Sequence, residues 1–163
     1  MKKITLAGGC FWGVEAYFSR VKGIIKTTVG YTDGPSVNPT YQEVCEGSGH
    51  VEAVLVEYDE KIIDLVKILK HFFRIIDPTQ YNRQGHDIGK QYRSAIYYHD
   101  HNDLTVIETY IDSIRDQYKK AIQTKVLEAK PFYDAETYHQ KYLDKNPGGY
   151  CHVNLNLLKE DIE

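Results

Sequence analysis

The sequence contains no long apolar run, no dense set of cysteines and no strong excess of one charge. Without about 18 consecutive apolar residues no membrane-spanning helix is expected, and the apolar stretch after Met1-Lys2-Lys3 is too short for a signal peptide. The formal net charge of -3, with both signs mixed along 163 residues, gives no electrostatic footprint for nucleic acid or an anionic membrane. Neither partner is therefore expected.

Cysteines are few and odd in number: Cys10, Cys45 and Cys151. Secreted disulfide scaffolds carry dense, even sets, so a reducing compartment, the cytoplasm, is the expected location. No cysteine or histidine pair has the short spacing of a zinc site, so no metal is expected. Lone histidines such as His50 and His139 are expected to be hydrogen-bonded structural groups, and Cys45 a buried bystander.

The length and the apolar pattern predict one α/β (α+β) domain over residues 1–163, with helices packed on a small mixed sheet in a two-layer sandwich. Apolar and β-branched runs predict strands at 3–7, 24–32, 50–58 and 94–98. Helical spacing predicts helices from Phe11 to Val21, from Ile62 to Ile76 and from Leu104 to Ile122. Strand order cannot be read from these patterns.

Turn residues separate these elements. Asp33-Gly34-Pro35 and Asn38-Pro39 predict a loop that extends to about Gly49. After Pro131 the chain is expected to be irregular, apart from a short helix near 136–143. Asn146-Pro147-Gly148-Gly149 then predicts a mobile hinge just before Cys151.

Cys10 follows Gly8-Gly9 at the point where the first strand turns into a helix. A substrate could approach its sulfur closely there, and the amides at the helix N-terminus favour a thiolate. Phe11 and Trp12 follow at once and could form an apolar pocket. For any single cysteine or aromatic residue, simple burial in the core is the alternative.

Glu52 lies on a strand face that it shares with Val54 and Val56. A carboxyl on an apolar face keeps its proton to a higher pH than in water, so Glu52 is a candidate general acid. The alternative is an ordinary exposed glutamate at the end of a strand.

The run Gly9-Cys10-Phe11-Trp12-Gly13 resembles the signature of the A-type peptide methionine sulfoxide reductases. Further segments resemble that family in the same order, and they cover nearly the whole chain: Gly30-Tyr31-Thr32, Asn38-Pro39-Thr40-Tyr41, Gly49-His50-Val51-Glu52-Ala53-Val54, Asp77-Pro78-Thr79, Gln91-Tyr92-Arg93-Ser94, Pro131-Phe132-Tyr133 and Asn146-Pro147-Gly148-Gly149-Tyr150-Cys151. The fold expected on this basis is a ferredoxin-like core followed by a long irregular C-terminal segment.

The resemblance implies the reduction of methionine S-sulfoxide, free or in oxidised proteins and peptides. Cys10 would attack the sulfoxide sulfur and become a sulfenic acid, and Glu52 would protonate the oxygen. Cys151 would then form a disulfide with Cys10, which external thioredoxin or another dithiol reduces, with no bound cofactor. Some relatives carry a further cysteine near the C-terminus, whereas Val153 to Glu163 contains none, which favours a two-cysteine cycle.

The remaining matched residues would bind the substrate. Tyr41 and Tyr92 would donate hydrogen bonds to the sulfoxide oxygen, and Phe11 and Trp12 would hold the methyl group on sulfur. Asp87 would support the site, although it also reads as a turn residue between two glycines. A monomer is the default expectation.

Two other functions stay open on the residues alone. Cys10 could pair with one of the seven histidines in a cysteine hydrolase, which would need no reductant and form no disulfide. The chain could also be a non-enzymatic interaction module, for which an exposed hydrophobic patch without a buried carboxyl would be the sign.

Overall fold

The computed structural model describes residues 1–162 and consists of helices packed on a six-stranded sheet, with a separate two-stranded hairpin. The strands are β1 (Lys2–Gly8), β2 (Ile24–Thr32), β3 (Val51–Tyr58), β4 (Arg83–Gln84), β5 (Asp87–Ile88), β6 (Ser94–Tyr98), β7 (Lys125–Glu128) and β8 (Phe132–Asp134). The helices are α1 (Phe11–Phe18), α2 (Tyr41–Cys45), α3 (Leu65–Ile75), α4 (Asp103–Ile114) and α5 (Tyr142–Lys145). Among these 162 residues, none of the helices has the length and apolar content to cross a bilayer.

The sheet has the order β7-β6-β1-β3-β2-β8. All neighbours pair antiparallel except β6 and β7, which are parallel. Its four central strands, β6-β1-β3-β2, are connected through α1 and α3 in the manner of a ferredoxin-like core. The predicted mixed α+β class and the ferredoxin-like core are therefore confirmed.

Strand β3 lies in the middle of the sheet and is covered on both faces. Val54 and Val56 belong to the main core, to which α1 and α3 contribute Phe18 and Phe72. On the opposite face, Ala53 belongs to a smaller cluster. Because side chains alternate along a strand, Glu52 points to the same side as Val54, toward α1.

Several predicted boundaries were wrong. Helix α1 ends at Phe18 rather than Val21, and α3 begins at Leu65 rather than Ile62. The expected loop at 33–49 contains α2, which begins with a capping box between Thr40 and Glu43. The helix expected to reach Ile122 ends at Ile114, although no proline or glycine stops it. The chain instead leaves the helix and returns to the sheet, where β7 pairs with β6 in parallel register.

The C-terminal segment is mostly irregular, as predicted, but it is closely attached to the rest of the molecule. Two short elements were missed or misplaced there: β8 pairs with β2, and α5 begins only at Tyr142. The side chain of Gln140 bonds the backbone of Val29 through both of its polar atoms, at 3.0 and 2.8 Å. Side-chain contacts of this kind replace regular backbone pairing in holding the segment on the core.

Candidate active site

Cys10 lies in a tight turn between β1 and α1, where it is the residue that precedes the helix. Gly9 makes the turn with φ +88°, a conformation that favours glycine. A side chain at position 9 would also stand 2.8 Å from Gln84 and 3.0 Å from His152. The turn is therefore enclosed by residues from the β4–β5 hairpin and from the C-terminal segment.

Glu52 is the acidic partner of this turn. Its side chain is 1% exposed, and its Oε1 accepts a hydrogen bond from the backbone N–H of Phe11 at 3.1 Å. Burial raises the pKa of Glu52 to about 8, the Phe11 N–H opposes this rise and the charge of Asp87 adds to it. Glu52 is therefore protonated at neutral pH, in agreement with the sequence-based expectation.

The second carboxyl oxygen of Glu52, Oε2, is available to a ligand. Oε2 is buried and has no hydrogen-bond partner among residues 1–162. An unpaired carboxyl oxygen in such a place is unfavourable unless it carries a proton or receives a ligand. The arrangement leaves one acidic O–H next to Cys10 with nothing else to bind.

The expectation that the Cys10 sulfur is open to a substrate and held as a thiolate by the helix amides was wrong. Cys10 is 8% exposed, and burial is the main cause that raises the pKa of its thiol well above the ordinary value. The Glu52 carboxylate adds to this rise once it ionises, above about pH 8. The helix amides act in the predicted direction, since a bond from the backbone N–H of Trp12 lowers the pKa, but burial outweighs them. Cys10 is therefore a neutral thiol in the unliganded site.

The structure brings the other predicted residues to the same place. Asp87, on β5, contributes to the electrostatic field at Cys10 and at Glu52. Tyr92 lies in a short helical turn that packs against β3. Burial raises the pKa of both Tyr41 and Tyr92, and the Glu52 carboxylate raises each pKa further once it has ionised. Both phenols are therefore neutral hydrogen-bond donors.

Phe11 and Trp12 begin α1 on the side of Glu52. Phe11 is buried against Tyr31, with ring centroids 5.7 Å apart. Trp12 stacks on Tyr142 with ring centroids 3.8 Å apart, and its indole N–H donates to Nδ1 of His139 at 3.0 Å. The indole is thus fixed in orientation on both its face and its edge.

Cys151 lies over the first turn of α1. A Cβ atom placed on Gly13 would stand 3.2 Å from the Cys151 sulfur, so only glycine allows this close approach. All three cysteines are free thiols, and the Cys151 thiol donates to the carbonyl of Val153 at 3.2 Å. Cys151 also contributes to the electrostatic field that acts on Cys10. The two cysteines therefore share one site without being joined.

Comparison with known proteins agrees with this geometry. The family model described as peptide methionine sulfoxide reductase matches residues 2–163. A relative from Clostridium acetobutylicum named peptide methionine sulfoxide reductase MsrA is 53% identical over 161 residues, covering 98% of this chain and 99% of its own.

The chain belongs to the peptide methionine sulfoxide reductase family.

Two solved structures have a similar fold. Mxr1 from Saccharomyces cerevisiae in its reduced form superposes with a TM-score of 0.89 at 39% identity, covering 94% of this chain and 91% of its own. Mxr1 in complex with Trx2 superposes with a TM-score of 0.62 at 29% identity, covering 86% of this chain and 84% of its own.

Sequence reasoning missed the residues that support the reductase site. His139 was expected only to be hydrogen-bonded, which is correct, but its ring also packs against Tyr41 with centroids 4.4 Å apart. Glu136 accepts from the Tyr31 hydroxyl at 2.8 Å and from the backbone N–H of Tyr41 at 3.0 Å. One feature of the sequence could have indicated His139. The indole N–H of a buried tryptophan needs a hydrogen-bond acceptor, so Trp12 implied that some side chain accepts from it.

Cys45 does not have the position expected of it. It is exposed rather than buried, because α2 directs only Val44 into the core. Cys45 and Tyr41 each affect the pKa of the other, which places the Cys45 thiol near the Tyr41 phenol. Cys45 is thus a neighbour of the site through Tyr41.

Proposed function

We propose that this chain reduces methionine S-sulfoxide, free or in oxidised proteins and peptides, to methionine by a two-cysteine cycle. One observation carries the proposal: the buried Glu52 carboxyl bonds the turn of Cys10 through Oε1, its Oε2 has no partner among residues 1–162, and Cys151 lies over the same helix turn. A sulfoxide oxygen leaves poorly unless it is protonated, and this site offers an acid and a nucleophile together. Membership of the reductase family supports this chemistry.

In the first step the Cys10 sulfur attacks the sulfoxide sulfur while Glu52 protonates the oxygen through Oε2. The proton released by the thiol restores the Glu52 carboxyl. The oxygen and the proton given by Glu52 together end as the hydroxyl of a Cys10 sulfenic acid, and methionine departs. Two electrons pass from the Cys10 sulfur to the substrate sulfur, so the step is balanced.

The neutral phenols of Tyr41 and Tyr92 donate to the sulfoxide oxygen as negative charge develops there. Phe11 and Trp12 hold the methyl group on sulfur. Since Trp12 is fixed by Tyr142 and His139, the wall it forms is rigid, which supports selection of one face of a chiral sulfur. Asp87 supports the site from β5 by its field on Glu52 and its bond to Tyr150.

In the second step the Cys151 sulfur attacks the sulfenic sulfur of Cys10, a disulfide forms and water leaves. A dithiol then reduces the disulfide by exchange and becomes oxidised itself. The complex of Mxr1 with Trx2 supports thioredoxin as this external reductant. No bound cofactor enters this cycle, and the absence of cysteine from residues 153–163 favours a cycle of two cysteines.

The two alternative functions are not favoured. A cysteine hydrolase needs an imidazole that takes the thiol proton, yet no histidine of the described residues 1–162 is hydrogen-bonded to Cys10. The ionisable groups that raise the pKa of the Cys10 thiol are acids, and none of them is a histidine that could take the thiol proton. A purely structural interaction module would have no use for the buried, protonated carboxyl of Glu52.

The whole chain is proposed to act as one catalytic domain, which the match of the family model to residues 2–163 supports. A cytoplasmic location remains a prediction from the odd number of cysteines. The monomeric state likewise remains a prediction.

Changing Cys151 to serine tests the cycle. Serine can take the place of the thiol but cannot form a disulfide, so we expect one methionine per enzyme molecule and then a stop with thioredoxin as reductant. Cys10 should accumulate as the sulfenic acid, which dimedone traps and intact-protein mass spectrometry detects. Undiminished cycling with thioredoxin would remove Cys151 from the mechanism. No methionine at all from a folded variant would count against the first step.

A further inference from the structure

The residue after Cys151 makes a contact that the cycle above does not use. His152 Nε2 lies 2.9 Å from the carbonyl oxygen of Gly8. Because a carbonyl can only accept, Nε2 must carry the hydrogen and donate it. The ring also lies within 3.0 Å of where a side chain on Gly9 would stand. His152 is therefore hydrogen-bonded to Gly8, two residues before Cys10 in the chain.

Two further contacts hold the same stretch of chain. On one side of Cys151, the Tyr150 hydroxyl donates to Asp87 at 2.9 Å. On the other side, Val153 is buried in the main core. Among these contacts, only the one from His152 is made to the residues that lead directly into Cys10, so it links the segment of Cys151 to the segment of Cys10.

We propose that His152 is a positioning residue for disulfide formation, which holds the backbone of Cys151 against the Gly8–Gly9 turn through its Nε2–H. The proposal rests on the two-cysteine cycle. A bond between two segments raises the effective concentration of the groups they carry, so it favours an intramolecular reaction between them. The step assisted is the attack of Cys151 on the Cys10 sulfenic acid, with a disulfide and water as products.

Packing alone does not explain an imidazole at this position. His152 Nδ1 is buried and has no partner among residues 1–162, which is unfavourable for a polar atom. An aliphatic side chain could fill the space without this loss. What the imidazole adds is the donor at Nε2, and the contact with Gly8 is where that donor is used.

The test compares His152→Ala with His152→Gln in the full-length chain. Glutamine can place its amide N–H near the position of Nε2, whereas alanine cannot donate to Gly8. The reduced enzyme is mixed with a peptide that contains methionine S-sulfoxide, in a fixed concentration of dimedone and without thioredoxin. Dimedone and Cys151 compete for the same Cys10 sulfenic acid, so the fraction of Cys10 that carries dimedone rather than a disulfide measures the rate of disulfide formation relative to trapping. This fraction does not depend on the rate of the first step. Thermal unfolding shows whether each variant is folded, and His101→Ala, at an exposed histidine, is the matched control.

Loss of one hydrogen bond should slow disulfide formation in His152→Ala by about 3- to 10-fold. The amount of methionine formed per enzyme should stay at one, and His152→Gln should be within about twofold of the original chain. Unchanged partitioning in His152→Ala would overturn the proposal. So would a folded His152→Gln that is as slow as His152→Ala, because the donor would then be irrelevant. Failure of the original chain to form methionine would instead refute the proposed function.

Discussion

Replacing Cys10 by serine is expected to abolish methionine sulfoxide reduction, with a loss of more than about 10⁴-fold in turnover. A serine hydroxyl cannot accept the sulfoxide oxygen as the Cys10 thiol does when it becomes a sulfenic acid, so the variant lacks the group that is oxidised in the first step. Reduction of a methionine S-sulfoxide peptide with excess dithiothreitol, read by mass spectrometry, measures the effect.

The exposed Cys45 provides the matched control for this variant. Cys45→Ser removes an exposed thiol that has no part in the proposed cycle, so its activity should stay close to that of the original chain. If Cys10→Ser retained activity while Cys45→Ser lost it, the nucleophile would have been assigned to the wrong cysteine.

The second large effect concerns Glu52. Glutamine has the same shape and can still accept from the Phe11 N–H, but it has no acidic proton. We expect Glu52→Gln to slow the single-turnover formation of methionine by about 10²- to 10⁴-fold, with little change in substrate binding. Rapid-quench kinetics at several substrate concentrations separates the two effects. An unchanged single-turnover rate would show that Glu52 is not the acid.

The pH dependence identifies the same group. The active form of Glu52 is the protonated one, and its pKa is raised to about 8, chiefly by burial. The single-turnover rate of the original chain should therefore be constant below pH 8 and fall as pH rises through that value. Glu52→Gln should lack this fall. Glu15→Gln is the control, because Glu15 is also a buried glutamate but bonds Thr27 and Lys141 away from the reacting atoms. Its profile should keep the fall at pH 8.

The sequence predicted the parts of the site that depend on local pattern. Gly8-Gly9 indicated the turn, and the alternation along β3 placed Glu52 on an apolar face. The position of Cys10 before α1 and the raised pKa of Glu52 both follow from these short-range features.

The state of Cys10 could not be predicted in the same way. The sequence showed the helix amides that favour a thiolate, but not the residues that enclose the thiol. Gln84 and His152 meet the turn from far along the chain, and burial by such segments outweighs the amides. A thiol pKa is set by the balance of these effects, so one of them alone gave the wrong answer.

The supports of Trp12 were hidden for a related reason. His139 lies 127 residues away in the chain, in a C-terminal segment that was expected to be mostly irregular. Such segments are held by individual side-chain bonds, as for Glu136 and Gln140, and a pattern of apolar residues does not report them. The edge strand β8 and the helix α2 were missed because both are short.

The most direct test of the whole account is a single turnover of the original chain without any reductant, run separately with the S and the R epimer of a methionine sulfoxide peptide. We predict one methionine per enzyme from the S epimer, none from the R epimer, and a Cys10–Cys151 disulfide in the product with Cys45 still free. Methionine formed while all three thiols remain reduced, or equal product from both epimers, would contradict it.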